Sequence, residues 1–168
     1  MHLKISPMRS RTFTWHDPQA SAAIGRTMSG LDCLLAIQRG ELPPPPVAAM
    51  LGMQVSEVAP GRVVFTLEPA EYHYNPIGAV HGGVLTTLFD SAMGCAVHSR
   101  LPQGVGYTTL EVKVNFVRPV TVATGMIRCE GTVLTLGSRV ATAEARLLDA
   151  RDKLLGHATT TCLIMRPE

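Results

Sequence analysis

The segment from Val84 to Val97, VLTTLFDSAMGCAV, places the hardest constraint on how this chain can fold. At 100° per residue it puts Val84, Leu85, Leu88, Phe89, Ala92, Met93, Cys95 and Ala96 on one broad face. The opposite flank carries Thr86, Asp90 and Gly94, but Val97 falls there too, so neither side is plainly polar. A helix this apolar belongs in a core, and the rest of the 168 residues must enclose it.

The flanking segments change period from helical to alternating. MQVSEVAPGRVVFTLEP reads as two short strands around a Pro60-Gly61 turn. A helix over roughly residues 82 to 99, about 27 Å long at 1.5 Å per residue, is followed by four strand-like segments. These are YTTLEVKVNFV, GMIRCEGTVLTL, RVATAEARLLDA and LLGHATTTCLIM, separated by turn signals at Arg118-Pro119, Leu136 to Ser138, and Asp149 to Lys153. In the first of them Thr109, Glu111, Lys113 and Asn115 alternate with Leu110, Val112, Val114 and Phe116, the mark of a half-buried antiparallel strand. The expected order is strand, strand, helix, then a meander of four strands: an α+β fold with one helix against one curled sheet.

Residues 1–46 read as an extension ahead of this domain, which spans 47–168. The first 15 residues are basic and mixed, and are expected to be poorly ordered. Asp17-Pro18 reads as an N-cap with proline at the first helical position. Ala20, Ile24, Met28, Leu31, Leu34 and Leu35 then recur at the spacing of one amphipathic helix. Gly40 supplies its stop, and Pro43 to Pro46 a stiff extended connector. Such a helix packs on its own domain, or else makes a subunit contact or a lid.

Composition narrows the function. A net charge of +2 without a Lys/Arg stripe argues against nucleic acid, and no window approaches the ~18 apolar residues of a membrane span. The N-terminus lacks the apolar stretch of a secretory signal. Cys33, Cys95, Cys129 and Cys162 form no CxxC pair, and His73, His98 and His157 share no metal-ligand spacing, so neither disulfides nor a metal or other cofactor is expected. The expectation is a cytoplasmic protein. With only 17% charged residues, part of its surface is expected to lie against another subunit.

Asp90 is the position that composition does not explain. As a lone carboxylate it reads as a wetted edge of the helix. The helix, however, opens at His81-Gly82-Gly83, where free N–H groups and the positive end of the dipole converge and glycine admits close approach. The string N-P-x-G-x-x-H-G-G-x(6)-D from Asn75 to Asp90, followed by T-x-E-V-x-x-x-F-x-R-P from Thr109 to Pro119, resembles the hotdog-fold acyl-CoA thioesterases of the phenylacetate-degradation type. The likeness spans about residues 47 to 165 and leaves the extension unassigned.

The resemblance implies a curled sheet wrapped around the central helix and a division of labour at the site. The Gly82 amide would polarise the thioester carbonyl, and Asp90 would act as nucleophile or as general base for water. Asn75 would place the carbonyl or the water, and the hydroxyl of Thr109 or its neighbour Thr108 would support the water or the acid. His81 and Gly83, with Thr108, are candidates for substrate binding at the helix start. His81 suits a loop-fixing hydrogen bond, with a catalytic base as the alternative. Arg118 and Arg139 are candidates for the coenzyme A phosphates. Relatives bring the Asn and the Asp together across a dimer interface, which implies a homo-oligomer, a dimer of dimers, with the active site between subunits. The expected activity is hydrolysis of a small or medium, including aromatic, acyl-CoA. A non-catalytic acyl-CoA-binding module on the same fold is the alternative, and a hydratase ranks below both.

Overall fold

The computed structural model describes residues 6–166; the expectation of disorder for residues 1–5 and the last two residues of the 47–168 domain lie outside the described residues. The elements in chain order are α1 (Pro18–Gly25), α2 (Gly30–Gln38), α3 (Pro46–Leu51), β1 (Gln54–Ala59), β2 (Arg62–Leu67), α4 (Gly82–His98), β3 (Gly106–Phe116), β4 (Ile127–Leu136), β5 (Val140–Leu148) and β6 (Leu154–Met165), with short 3₁₀ turns at Glu71–His73 and Val122–Thr124. The strands form one antiparallel sheet in the order β1-β2-β4-β5-β6-β3.

The sheet wraps α4. Leu88, Phe89, Ala92, Met93, Ala96 and Val97 are fully buried against it. The sheet leaves room by presenting small residues at its centre, Ala141, Ala143 and Ala145 on β5 and Gly131 on β4. A Cβ at Gly131 would stand 2.3 Å from the Ala92 carbonyl oxygen, so only glycine lets the helix backbone lie directly on the strand.

Three expectations need correction. The last four strands are not a simple meander: β4, β5 and β6 are, but β3 pairs with β6 and forms an edge of the sheet. The extension holds two helices rather than one. Asp17 does cap α1 through the Gln19 N–H at 2.9 Å, but α1 stops at Gly25 and Ser29 starts a new helix. Ser29 Oγ accepts from the Asp32 N–H at 3.1 Å, the N-cap bond to the third helical position, and donates to Asp32 Oδ2 at 2.6 Å. The proline run is extended only as far as Pro45, because Pro46 occupies the first turn of α3, where a missing N–H costs nothing.

Residues 6–15 have no regular structure, yet Arg11 ties them down: its guanidinium lies 4.0 Å above the Tyr72 ring and donates to the carbonyls of Met50 and Ala49. Among the described residues no helix is long and apolar enough to cross a membrane.

The loop that leads into α4 is fixed by His73, only 2% exposed. Its Nδ1 accepts from the Ala70 N–H at 3.1 Å, so the proton sits on Nε2, which donates to the Leu51 carbonyl at 2.9 Å. The His81 N–H in turn donates to the His73 carbonyl at 2.8 Å. Burial holds the His73 ring below the ordinary histidine range, and burial does the same to His98. The unfolded chain therefore binds protons at these rings near pH ~6.5 that the folded chain refuses. Their contribution to stability is complete above that pH and is lost as pH falls through the lowered folded values. Urea unfolding should give a lower midpoint at pH 5 than at pH 7, and His73→Gln should show a shallower fall than wild type. An identical fall in both proteins would remove His73 from this account.

Candidate active site

Asp90 sits two turns into α4, half-buried, and is not a wetted edge. Thr109 Oγ1 donates to its Oδ1 at 2.8 Å, which leaves Oδ2 free. Thr109 faces inward because β3 carries a bulge: Thr109 pairs with Cys162 and Glu111 with Thr161, so Leu110 has no partner in the ladder. The bulge shifts the alternation read from sequence. Thr109 joins Val112 and Val114 on the inner side, while Leu110 and Phe116, expected inside, are more than half exposed. Thr108 is exposed and has no hydrogen bond to Asp90.

Asp90 lines a cavity of about 440 Å³ in which it is the only charged side chain. Cys95 and Tyr107, which sequence reasoning did not single out, share that wall, as do Leu34 and Ile37 of α2. Burial pushes the Cys95 thiol up to about 12 and raises the neighbouring Tyr107 hydroxyl well above its ordinary value, so both stay protonated at neutral pH. Burial likewise raises Cys33 and Cys162. The cavity therefore offers no thiolate.

The other predicted residues gather elsewhere on the same chain. Asn75, Gly82 and Arg118 line a separate cavity of about 320 Å³, with Phe116 between them. Asn75 Oδ1 accepts from the N–H groups of Ile77 at 3.0 Å and Ala79 at 3.3 Å, closing the turn before the helix. That fixes the amide orientation and leaves the Nδ2 hydrogens as the available donors. His81 is the N-cap of α4, its Nδ1 accepting from the Gly83 N–H at 2.8 Å. The Gly83 amide is thus satisfied within the chain, whereas the Gly82 N–H makes no hydrogen bond among the described residues. A Cβ at Gly82 would stand 3.1 Å from the Phe116 ring, which packs over this end of the helix.

Arg118 donates to the Leu154 carbonyl and also borders a neighbouring cavity with Arg151 and Lys153. Arg139 lies exposed in the β4–β5 turn and lines neither the Asp90 nor the Gly82 cavity. No group of three or more His, Cys, Asp or Glu among the described residues is arranged to hold a metal.

One chain thus presents a backbone donor and an amide in one cavity and a hydrogen-bonded carboxylate in another. Known proteins resemble this chain in sequence and in fold. Residues 77–155 match the family model of the thioesterase superfamily. A protein of Halobacterium salinarum that carries an esterase name is 32% identical over 109 residues, covering 62% of this chain and 70% of that protein. The 1,4-dihydroxy-2-naphthoyl-CoA hydrolase of Listeria monocytogenes is 24% identical over 105 residues, 62% of this chain and 84% of its own. Among solved structures, a phenylacetic acid degradation-related protein from Ralstonia eutropha JMP134 superposes with a TM-score of 0.70 at 29% identity, over 77% of this chain and 98% of that one. The six-stranded sheet curled around α4 is the hotdog fold, and the chain belongs to the thioesterase superfamily as a hotdog-fold hydrolase.

Proposed function

We propose that this chain hydrolyses the thioester of an acyl-CoA, with Asp90 as the reacting carboxylate and the Gly82 N–H as the donor to the carbonyl. The observation that carries the reading is the Thr109–Asp90 hydrogen bond at 2.8 Å, which holds a carboxylate at an otherwise uncharged cavity with one oxygen still free. The coenzyme A hydrolase from Listeria monocytogenes lends the substrate class.

In this reading the carbonyl oxygen accepts from Gly82 N–H, and charge that develops there meets the positive end of α4. Such a preorganised donor is worth roughly 2.7–4 kcal/mol in comparable sites. Asp90 Oδ2 either attacks the carbonyl carbon, forming an anhydride that water then opens, or takes a proton from water as that water attacks. In both routes the C–S bond breaks and coenzyme A leaves as the thiol, with its proton taken from water. The Asn75 Nδ2 hydrogens are placed to donate to the carbonyl or to the water. A non-catalytic acyl-CoA binder would have no use for a carboxylate held in this way.

The two halves lie about 12 Å apart along α4, eight residues at 1.5 Å each, and they border different cavities. A single thioester cannot meet both within one chain. We therefore assign the working site to two chains, Gly82 and Asn75 from one and Asp90 and Thr109 from the other. The strand available to join them is β3, 11 residues long, at the edge of the sheet, with Leu110 57%, Phe116 51% and the adjoining Val117 46% exposed. An uncovered edge of this kind invites pairing. Dimers joined there would assemble in pairs, and Arg118, which also borders the neighbouring cavity with Arg151 and Lys153, would reach toward the coenzyme A phosphates.

Asp90→Asn should lower kcat for acyl-CoA hydrolysis by roughly 10²–10⁴-fold, followed by release of free thiol, with an unchanged melting profile. Thr109→Val should lower it by roughly tenfold, the scale of a hydrogen bond to a charged group, and Thr109→Ser should recover most of that loss. Wild-type turnover in Asp90→Asn would sink the assignment. Light scattering should return the mass of a tetramer; a monomer would contradict the shared site.

A further inference from the structure

The extension ahead of the matched region builds a wall of the Asp90 cavity. α2 is clamped across the domain at both ends. At its start, a Cβ at Gly30 would stand 1.8 Å from the His98 carbonyl oxygen, and the Gly30 N–H donates to the Leu101 carbonyl at 3.0 Å. Glycine is required there for the helix to press against the end of α4. At its far end, Gln38 Nε2 donates to the Ser56 carbonyl of β1 at 2.7 Å. Between these anchors Leu34 and Ala36 are buried and Ile37 is half-buried.

Held this way, α2 and the proline run present Leu34, Ile37, Pro44 and Pro45 to the cavity that Asp90 lines, opposite Met53 and Phe65. A second cavity of about 770 Å³ shares Leu34, Ile37, Pro44, Pro45, Cys95 and Tyr107 with the first and runs on to His98 and Met165. His98 Nδ1 has no hydrogen-bond partner there among the described residues, and burial keeps the ring neutral at pH 7. The path from Asp90 is therefore uncharged until Arg26 and Arg166 at its outer end.

We infer that the acyl group of the substrate lies in this chamber, that it is an uncharged linear chain of medium length, and that Ile37 on α2 limits the length accepted. The inference rests on the reading of Asp90 as the hydrolytic carboxylate. A cavity of about 440 Å³ falls in the range that encloses whole small-molecule ligands, more than an acetyl or propionyl group fills. An aromatic ring would fit the first cavity alone. The continuation past Cys95 and Tyr107 favours a chain that can bend. A second carboxylate on the acyl group would have to enter beside Asp90 with no cation near that end.

The test compares wild type, Ile37→Trp and Ile37→Ala on acetyl-, butyryl-, hexanoyl-, octanoyl-, decanoyl- and phenylacetyl-CoA. Wild type should show kcat/KM rising with chain length to an optimum beyond butyryl. One methylene in an apolar pocket discriminates by roughly 10–200-fold, so Ile37→Trp should lower kcat/KM on octanoyl-CoA by at least about tenfold. The same variant should cost acetyl-CoA less than octanoyl-CoA, so that the octanoyl-to-acetyl ratio of kcat/KM falls, and Ile37→Ala should move the optimum to a longer chain. One shared length profile for all three proteins, or an optimum at phenylacetyl-CoA, would overturn the inference. If wild type cleaves none of the panel, the hydrolytic reading fails and the chamber is judged by binding. In calorimetry with S-alkyl-CoA thioethers, affinity that rises with alkyl length and falls in Ile37→Trp upholds the chamber, and length-independent affinity refutes it.

Discussion

The close seating of α4 on the sheet governs the rest of this molecule. The helix backbone rests on Gly131, and its side chains fill the concave face of the sheet, so its position has little freedom. Interiors packed this tightly resist shifts of even a methylene. The carbonyl donor and the reacting carboxylate proposed for the chemistry both belong to that helix. The Gly82 N–H is its first free donor, His81 is its cap, and Asp90 projects from its third turn. A fixed helix gives fixed dipoles, which is what a developing oxyanion needs.

The same rigidity separates the groups. Because α4 is a regular, largely buried helix, Gly82 and Asp90 are held apart by its rise and open into different cavities. No side-chain motion brings them together. The proposed shared site would resolve the separation without deforming the core, since the required movement would become an assembly step along an edge strand. The local chemistry accords with this: the bulge at Leu110 turns Thr109 inward to Asp90 and leaves Leu110 outward on the free edge.

Much of this was legible in the sequence because it depends on local pattern. The apolar circumference of Val84 to Val97 called for an enclosed helix, and alternation with turn residues located all six strands near their observed bounds. The Asn75-to-Asp90 string singled out the loop and the carboxylate. What escaped depends on contacts between distant residues. The pairing of β3 with β6 has no local signature. The bulge is invisible in a strand that alternates perfectly from Thr109 to Phe116, so Val112 and Val114 were placed inward correctly but Leu110 was taken for Thr109. Tyr107 and Cys95 meet Asp90 only through packing, and α2 reaches that cavity only through Gly30. The break between α1 and α2 was readable and missed: Ser29-Gly30-Leu31-Asp32 is a helix start inside an apolar period.

The central claim is that one site needs Gly82 from one chain and Asp90 from another, and co-assembly of two inactive variants tests it most directly. Asp90→Asn removes the carboxylate. Gly82→Pro removes the N–H at the first helical position, where proline is tolerated. Each alone should be inactive. Unfolded and refolded together in equal amounts, they should regain about a quarter of wild-type activity, because half of the randomly formed two-fold dimers then hold one intact site and one doubly defective site. No recovery in mixed assemblies that form normally would show that Gly82 and Asp90 do not act across the interface, and would contradict the account.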